Sequence, residues 1–198
     1  MSLGILPREF YARSALVVAR ELLGKELVLR RGRTVCRGRI SETEAYCGVR
    51  DRACHTFGGR RTPRTETMWG PPGHAYVYFT YGMHWCLNAV CAAEGDPQAV
   101  LIRGVEPLEG MQAMQRRRGV KVREKDLCRG PARLCRAFGL DGADDGADLT
   151  RGGLVIEAPS SRPLGPILRG PRIGVAYAGA DALKLWRFGL GSVHSRPF

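Results

Sequence analysis

The chain has 198 residues, of which 44% are hydrophobic, and its 31 Lys and Arg against 19 acidic residues give a net charge of +12. This length suits one well-filled core, so we expect a single domain over residues 1–198. No apolar run approaches the roughly 20 residues that cross a bilayer, and the N-terminus lacks an export signal. We therefore expect a soluble cytoplasmic protein, associated with the nucleoid if its source is bacterial.

The surplus of basic residues favours a polyanionic partner such as nucleic acid. Arginine richness can also follow from the base composition of a genome, so charge alone does not identify a function. The seven cysteines form no C-x-x-C pair and their number is odd, which favours reduced, scattered thiols over disulfides. Their spacing also does not fit a structural zinc site.

The first predicted elements are a helix and two strands. Apolar residues recur at helical spacing over Arg8–Leu23, with a proline before and a glycine after the pattern. Leu27–Arg30 and Val35–Tyr46 then read as strands joined by a turn. Residues 47–74 show neither the helical nor the strand spacing of apolar residues, and they contain many glycines, prolines and charged side chains. A loop of that length in a compact domain is usually functional.

Tyr76–Val90 predicts a β-hairpin with Tyr81 and Gly82 at its tip, because alternating aromatic residues flank a turn signal. Its register is left open. A two-residue loop pairs Tyr78 with Trp85, whereas a three-residue loop pairs Tyr78 with Cys86 and places Asn88 on the tyrosine face.

The remaining elements complete a mixed α/β fold. Residues 141–148 read as a solvated acidic loop, since no glutamate closes a calcium loop there. The overall prediction is a mostly antiparallel curved sheet with flanking helices and a protruding hairpin. The further predicted strands are Ala99–Glu106, Leu154–Glu157, Arg172–Tyr177 and Leu185–Leu190, and the further predicted helices are Leu108–Arg118 and Pro131–Phe138.

Glu42, Glu44 and Tyr46 end a predicted strand, where side chains two residues apart share a face. A carboxylate beside an aromatic ring at the mouth of a functional loop is a candidate base, and a neighbouring carboxylate raises its proton affinity. A solvated, charged strand face is the simpler interpretation of these residues taken alone.

The long loop offers His55 and an arginine-rich run that includes Arg60 and Arg64. Guanidinium groups suit phosphate oxygens, and glycines let the backbone approach them. Solvated loop charge and a structural histidine are the alternatives. In the hairpin, Tyr81 lies beside a turn glycine and has little core to enter, so it is a candidate for an exposed contact.

Taken together, these motifs closely resemble the alkyladenine type of 3-methyladenine DNA glycosylase. The order and spacing match over residues 38–110, and weaker similarity covers nearly the whole chain. The stretches that carry the resemblance are Glu42–Tyr46, His55, Gly58–Arg64, Tyr76–Met83, Asn88 and Leu101–Gly110.

The resemblance implies that the protein flips a damaged purine nucleotide out of double-stranded DNA and hydrolyses its N-glycosidic bond. Glu44 would deprotonate the attacking water, Tyr81 would fill the gap in the duplex, and Arg103 would lie near the extruded nucleotide and its phosphates. The flipped base would be surrounded by Tyr46, His55 and Tyr78, and Asn88 would clash with the 2-amino group of guanine.

No lysine lies between Lys25 and Lys121, so the motif region lacks an amine for a Schiff base. We therefore expect a monofunctional, monomeric enzyme without metal or cofactor that leaves an intact abasic site. Two other classes stay open: a non-catalytic binder of single-stranded or structured nucleic acid, and a metal-dependent nuclease. The binder gives no role to Glu44, and the nuclease requires a metal.

Overall fold

The computed structural model describes residues 4–158 and 165–191. The α-helices are α1 (Arg8–Tyr11), α2 (Ala15–Glu21), α3 (Glu66–Trp69), α4 (Met111–Arg118) and α5 (Pro131–Phe138). Short 3-10 segments cover Gly48–Arg50, Phe57–Gly59, Glu124–Asp126, Gly142–Asp144 and Ala176–Leu183. Within the described ranges, none of the helices has the length and apolar character that spanning a bilayer requires.

The strands are β1 (Glu26–Arg31), β2 (Thr34–Tyr46), β3 (Ala75–Thr80), β4 (His84–Cys91), β5 (Gln98–Glu109), β6 (Leu154–Glu157), β7 (Ile167–Gly170) and β8 (Arg187–Leu190). They form one sheet in the order β3-β4-β5-β2-β1-β6, and β8 also pairs with the end of β2 and with β7. Every pairing between these described strands is antiparallel. The predicted mixed α/β class with an antiparallel sheet and flanking helices is confirmed.

Strand alternation separates two faces of β3, β4 and β5. Val77, Leu87 and Val100 point into the main core, which α2, α4 and α5 cover. Tyr76 and Val90 point the other way, into a smaller apolar cluster beside the long loop. The second face is therefore free to hold a site while the first provides the core.

The predicted first helix is wrong in its continuity, because it is broken between α1 and α2. The Ala92 N–H donates to the carbonyl oxygens of Tyr11 and Arg13, and the Ala15 N–H donates to the Gln98 side chain. These tertiary hydrogen bonds replace the helical ones at the break, and a helical period in sequence does not reveal them.

Two further expectations are wrong. Arg172–Tyr177 is not a strand: Arg172 is buried in a loop, and a 3-10 segment begins at Ala176. The acidic stretch is not merely solvated either. Asp144 is buried and accepts a hydrogen bond from Arg31, and the Asp145 carboxylate accepts from the Val77 N–H at the outer edge of β3.

The hairpin has the three-residue register. Tyr78 pairs with Cys86, and Tyr76 pairs with Asn88. The loop is Tyr81–Met83, and Tyr81 has a φ of 51°, a left-handed conformation that is uncommon for a residue with a Cβ. Strain of this kind concentrates at functional sites.

Candidate active site

A cavity of about 380 Å³ opens on the second face of β3, β4 and β5. The long loop closes one side of it, and Ile173–Tyr177 closes another. Its wall combines aromatic rings with a few polar side chains, as ligand cavities usually do. Of the residues predicted to form the site, it is lined by Tyr46, His55, Tyr78, Tyr81, Asn88 and Arg103.

Glu44 lies directly behind this wall and is 0% exposed. Its Oε1 accepts from the Ile173 N–H at 2.8 Å and lies 3.3 Å from the Arg103 guanidinium. Its Oε2 accepts from the Tyr46 hydroxyl at 2.8 Å. All three partners also line the cavity, and the carboxylate retains lone pairs for a further donor.

The pKa of Glu44 is raised, because burial disfavours the charged carboxylate. Arg103, the Ile173 N–H and the Tyr46 hydroxyl oppose this effect, since each stabilises the anion. Glu44 is thus a carboxylate with a stronger affinity for a proton than a surface glutamate, held in a fixed position by three donors. These are properties of a general base.

Paired β-bulges turn Arg103 towards the carboxylates. In the register of β2 and β5, Ile40 pairs with Val105 and Glu42 with Gly104, which leaves Ser41 as an extra residue. Glu42 pairs with Gly104 and Thr43 with Ile102, so Arg103 is an extra residue on β5. Bulges re-aim side chains in this way.

The guanidinium of Arg103 is held by acidic groups. Its Nε donates to Glu42 at 3.1 Å, and its Nη1 lies 3.3 Å from Glu44. Arg187 also donates to Glu42, at 3.1 Å. The side chain of Arg103 is largely buried, so its charge is directed chiefly at the two carboxylates.

His55, Tyr76 and Tyr78 form one aromatic group at the cavity wall. The Tyr76 and Tyr78 rings stack with centroids 5.2 Å apart, and His55 meets Tyr78 edge-on at 4.6 Å. His55 Nδ1 and the Tyr76 hydroxyl share a hydrogen bond of 2.9 Å. Tyr76 is almost fully buried, so it supports the two rings beside it.

Burial lowers the pKa of His55 to about 4, and the nearby charges of Arg64 and Arg60 act in the same direction. The imidazole is therefore neutral near pH 7. A neutral ring at this wall does not repel a cationic ligand, whereas an imidazolium would.

Asn88 and Tyr81 bound the cavity at its floor and its mouth. The Asn88 side-chain amide is buried and donates to the Tyr76 carbonyl oxygen at 3.1 Å, which fixes its orientation. Tyr81 is 80% exposed at the hairpin tip. A Cβ built on Gly174 would lie 4.0 Å from the Tyr81 hydroxyl, so the tip leans across the mouth towards the opposite segment.

Arg60 and Arg64 line a second cavity that shares Cys54, His55 and Tyr177 with the first. Arg52 is its third arginine, and no acidic residue lines it within the described ranges. Arg61, by contrast, forms an ion pair with Glu66. The loop over residues 47–74 therefore directs three of its five arginines to an electropositive hollow beside the aromatic cavity.

Several residues of the site were missed from the sequence. Ile173 contributes its backbone N–H to Glu44, and Tyr177 lines both cavities while its hydroxyl donates to the Ala53 carbonyl oxygen at 3.2 Å. Arg172 packs against Tyr46. All three lie in the stretch that was interpreted as a strand, and a backbone donor leaves no signal in residue type. Among residues 4–158 and 165–191, no group of three or more His, Cys, Asp or Glu side chains could hold a metal ion.

The chain matches a family model described as "Methylpurine-DNA glycosylase (MPG)" over residues 9–193. A Burkholderia lata protein is 50% identical over 184 residues, which cover 92% of this chain and 86% of that protein. A Clostridium acetobutylicum protein is 44% identical, with 92% of each chain covered. A Methanocella arvoryzae protein is 48% identical, covering 93% of this chain and 91% of that one. Each is named "Putative 3-methyladenine DNA glycosylase". The chain belongs to the methylpurine-DNA glycosylase family.

Proposed function

We propose that this protein is a monofunctional DNA glycosylase that flips alkylated or deaminated purines out of duplex DNA and leaves an abasic site for base excision repair. The observation that carries the proposal is Glu44, buried behind the wall of an aromatic cavity and held by three residues that line it. Family membership and the net charge of +12 support DNA as the substrate.

In this mechanism the flipped base enters the cavity and contacts Tyr46, His55 and Tyr78. A purine methylated at N3 or N7 is cationic, stacks well on electron-rich rings and leaves readily. Glu44 takes a proton from a water molecule admitted at the cavity wall, and that water attacks C1′ as the glycosidic bond breaks. The bonding electron pair leaves with the cationic methylated purine, which departs as a neutral base. The anionic Glu44 also stabilises the positive charge that develops on the sugar.

We assign Arg103 a different role from the one that the resemblance to the glycosylase family implies. Since its guanidinium is directed at Glu42 and Glu44, we propose that it keeps Glu44 ionised and oriented. Phosphate contacts are assigned instead to Arg60 and Arg64, whose cavity carries a surplus of positive charge.

Asn88, fixed by its bond to the backbone, is placed to exclude the 2-amino group of guanine. The protein acts as a monomer on damaged double-stranded DNA.

A duplex carrying one alkylated or deaminated adenine tests the function. We expect the strand to break only after alkali treatment, because a monofunctional enzyme leaves the backbone intact, and we expect a chelator to have no effect. Denaturing electrophoresis measures both. Strand breaks without alkali that a chelator prevents would identify a metal-dependent nuclease, and binding without any abasic product would identify a non-catalytic binder.

Tyr81→Ser should weaken binding to lesion-containing duplex about tenfold or more, since an inserted aromatic ring contributes roughly 1–3 kcal/mol of stacking. Binding to single strands should change much less, because no gap needs filling there. Fluorescence anisotropy with both ligands provides the comparison.

Two variants serve as controls for this result. Val120→Ser removes a residue of nearly equal exposure (79%) that does not line the cavity, and it should bind as the parent does. Arg64→Gln should weaken the binding of lesion-containing duplex and of single strands by similar factors. It should also reduce the dependence of affinity on salt, since it removes a phosphate contact. Equal losses on duplex and single strand in Tyr81→Ser would rule out the wedge.

A further inference from the structure

Behind the base cavity, Arg172 and Asp51 form an ion pair in which both side chains are 0% exposed. The guanidinium contacts both carboxylate oxygens, at 2.5 and 2.8 Å, and donates to the carbonyl oxygens of Ala45 and Asp181. The Asp51 carboxylate also accepts from the backbone N–H groups of Cys47 and Ala53. The orientation of the guanidinium is therefore fixed from several directions.

This fixed guanidinium lies against two aromatic rings. Its central carbon is 4.9 Å from the ring centroid of Tyr46 and 4.9 Å from that of Trp186. Tyr46 lines the base cavity, whereas Arg172 is fully buried and does not. The guanidinium therefore contacts Tyr46 on the side away from the cavity, and the other side of the ring is left for the base.

The Tyr46 ring is also tied to Glu44, to whose carboxylate its hydroxyl donates. A hydrogen bond to an anion increases the electron density of the phenol ring. A cation behind the ring draws that electron density towards itself and so reduces it on the opposite face. The negative potential of an aromatic face is what attracts a cation. Arg172 thus makes the cavity face of Tyr46 less attractive to a cationic ligand than the ring would otherwise be.

We propose that Arg172 is a positioning residue for base selection, which holds the plane of Tyr46 and whose charge behind the ring reduces the preference of the cavity for cationic over neutral purines. The inference rests on the proposed function, because it presumes that the base lies on Tyr46. Asp51 sets the strength of the effect, since its negative charge partly cancels that of Arg172. Removing Asp51 and removing the whole pair should therefore change the selectivity in opposite directions.

The measurement is the ratio of kcat/KM for a duplex carrying 3-methyladenine, a cationic lesion that lacks the 2-amino group of guanine, to that for a duplex of the same sequence carrying hypoxanthine, a neutral one. In Arg172→Met combined with Asp51→Asn, where no buried charge is left unpaired, the ratio should rise about fivefold. In Asp51→Asn alone the ratio should fall, because the cation is no longer compensated. Arg172→Lys keeps the charge, so its ratio of kcat/KM values should stay within about twofold of the parent's ratio.

A purely structural role gives a different pattern. If the pair only anchors the Ile173–Tyr177 segment, all three variants lose activity on both lesions by the same factor, and the ratio stays constant; that result overturns the inference. The ratio of Kd values for the two lesion duplexes, measured with each variant in the Glu44→Gln background, tests the same selectivity without catalysis. Circular dichroism checks that each variant is folded. A parent protein that excises neither lesion would instead refute the proposed function, so the two failures are distinguishable.

Discussion

Glu44→Gln should reduce the rate of base excision by about 10²–10⁴-fold, the usual contribution of a positioned general base. The amide has nearly the same shape as the carboxylate, and it can still accept from the Ile173 N–H. It cannot take a proton from water, and it removes the negative charge that stabilises the developing oxocarbenium ion in the proposed mechanism. Single-turnover kinetics on a duplex with one alkylated purine measure the loss, and lesion binding should be retained.

Glu42→Gln is the matched control for this variant. Glu42 lies two residues earlier on β2, shares Arg103 with Glu44 and is also bonded to Arg187. Unlike Glu44, it does not contact Tyr46 or the Ile173 N–H in the hydrogen bonds of the site. We expect its loss of rate to stay within about tenfold. If Glu44→Gln keeps the parental rate, or if Glu42→Gln is the more damaged variant, the general base has been assigned to the wrong residue.

The parts of the site that depend on strand alternation were predictable from the sequence. Glu42, Glu44 and Tyr46 lie on one face of β2 because side chains two residues apart share a face in a strand. The hairpin register was open, and placing Tyr78 and Asn88 on one face required either a three-residue loop or a bulge in the return strand; the structure has the three-residue loop. Local periodicity carries this information without any knowledge of the rest of the fold.

Contacts between distant segments were not predictable in this way. The extra residues beside the two carboxylates, Ser41 in β2 and Arg103 in β5, show only in the pairing of the two strands. The break after Tyr11 depends on the Ala92 N–H. Arg172 follows a proline in a stretch rich in apolar residues, which favoured a strand. Its actual place depends on Asp51, which lies 121 positions earlier, and no local pattern links the two.

Arg103→Met should move the acidic limb of the pH-rate profile to higher pH and lower the maximal rate about 10²-fold, the usual effect of removing one preorganised donor. Arg103 lowers the pKa of Glu44, against the upward effect of burial. Removing the guanidinium therefore raises that pKa. Since a general base works only when it is deprotonated, activity is lost at a higher pH on acidification. Rates of excision between pH 4 and pH 9 measure the shift.

The same variant leaves Glu42 and Glu44 buried beside one cation fewer, and losing one partner of a buried pair costs about 3–5 kcal/mol of unfolding free energy. Urea denaturation measures this loss and shows whether the variant is folded under the assay conditions. Arg103→Lys is the control, because it keeps the charge and loses the planar fork; it should recover most of the shift in the acidic limb and only part of the rate. If Arg103→Met weakens DNA binding while its pH-rate profile matches the parent, Arg103 is a phosphate contact, and its proposed role in ionising Glu44 is wrong.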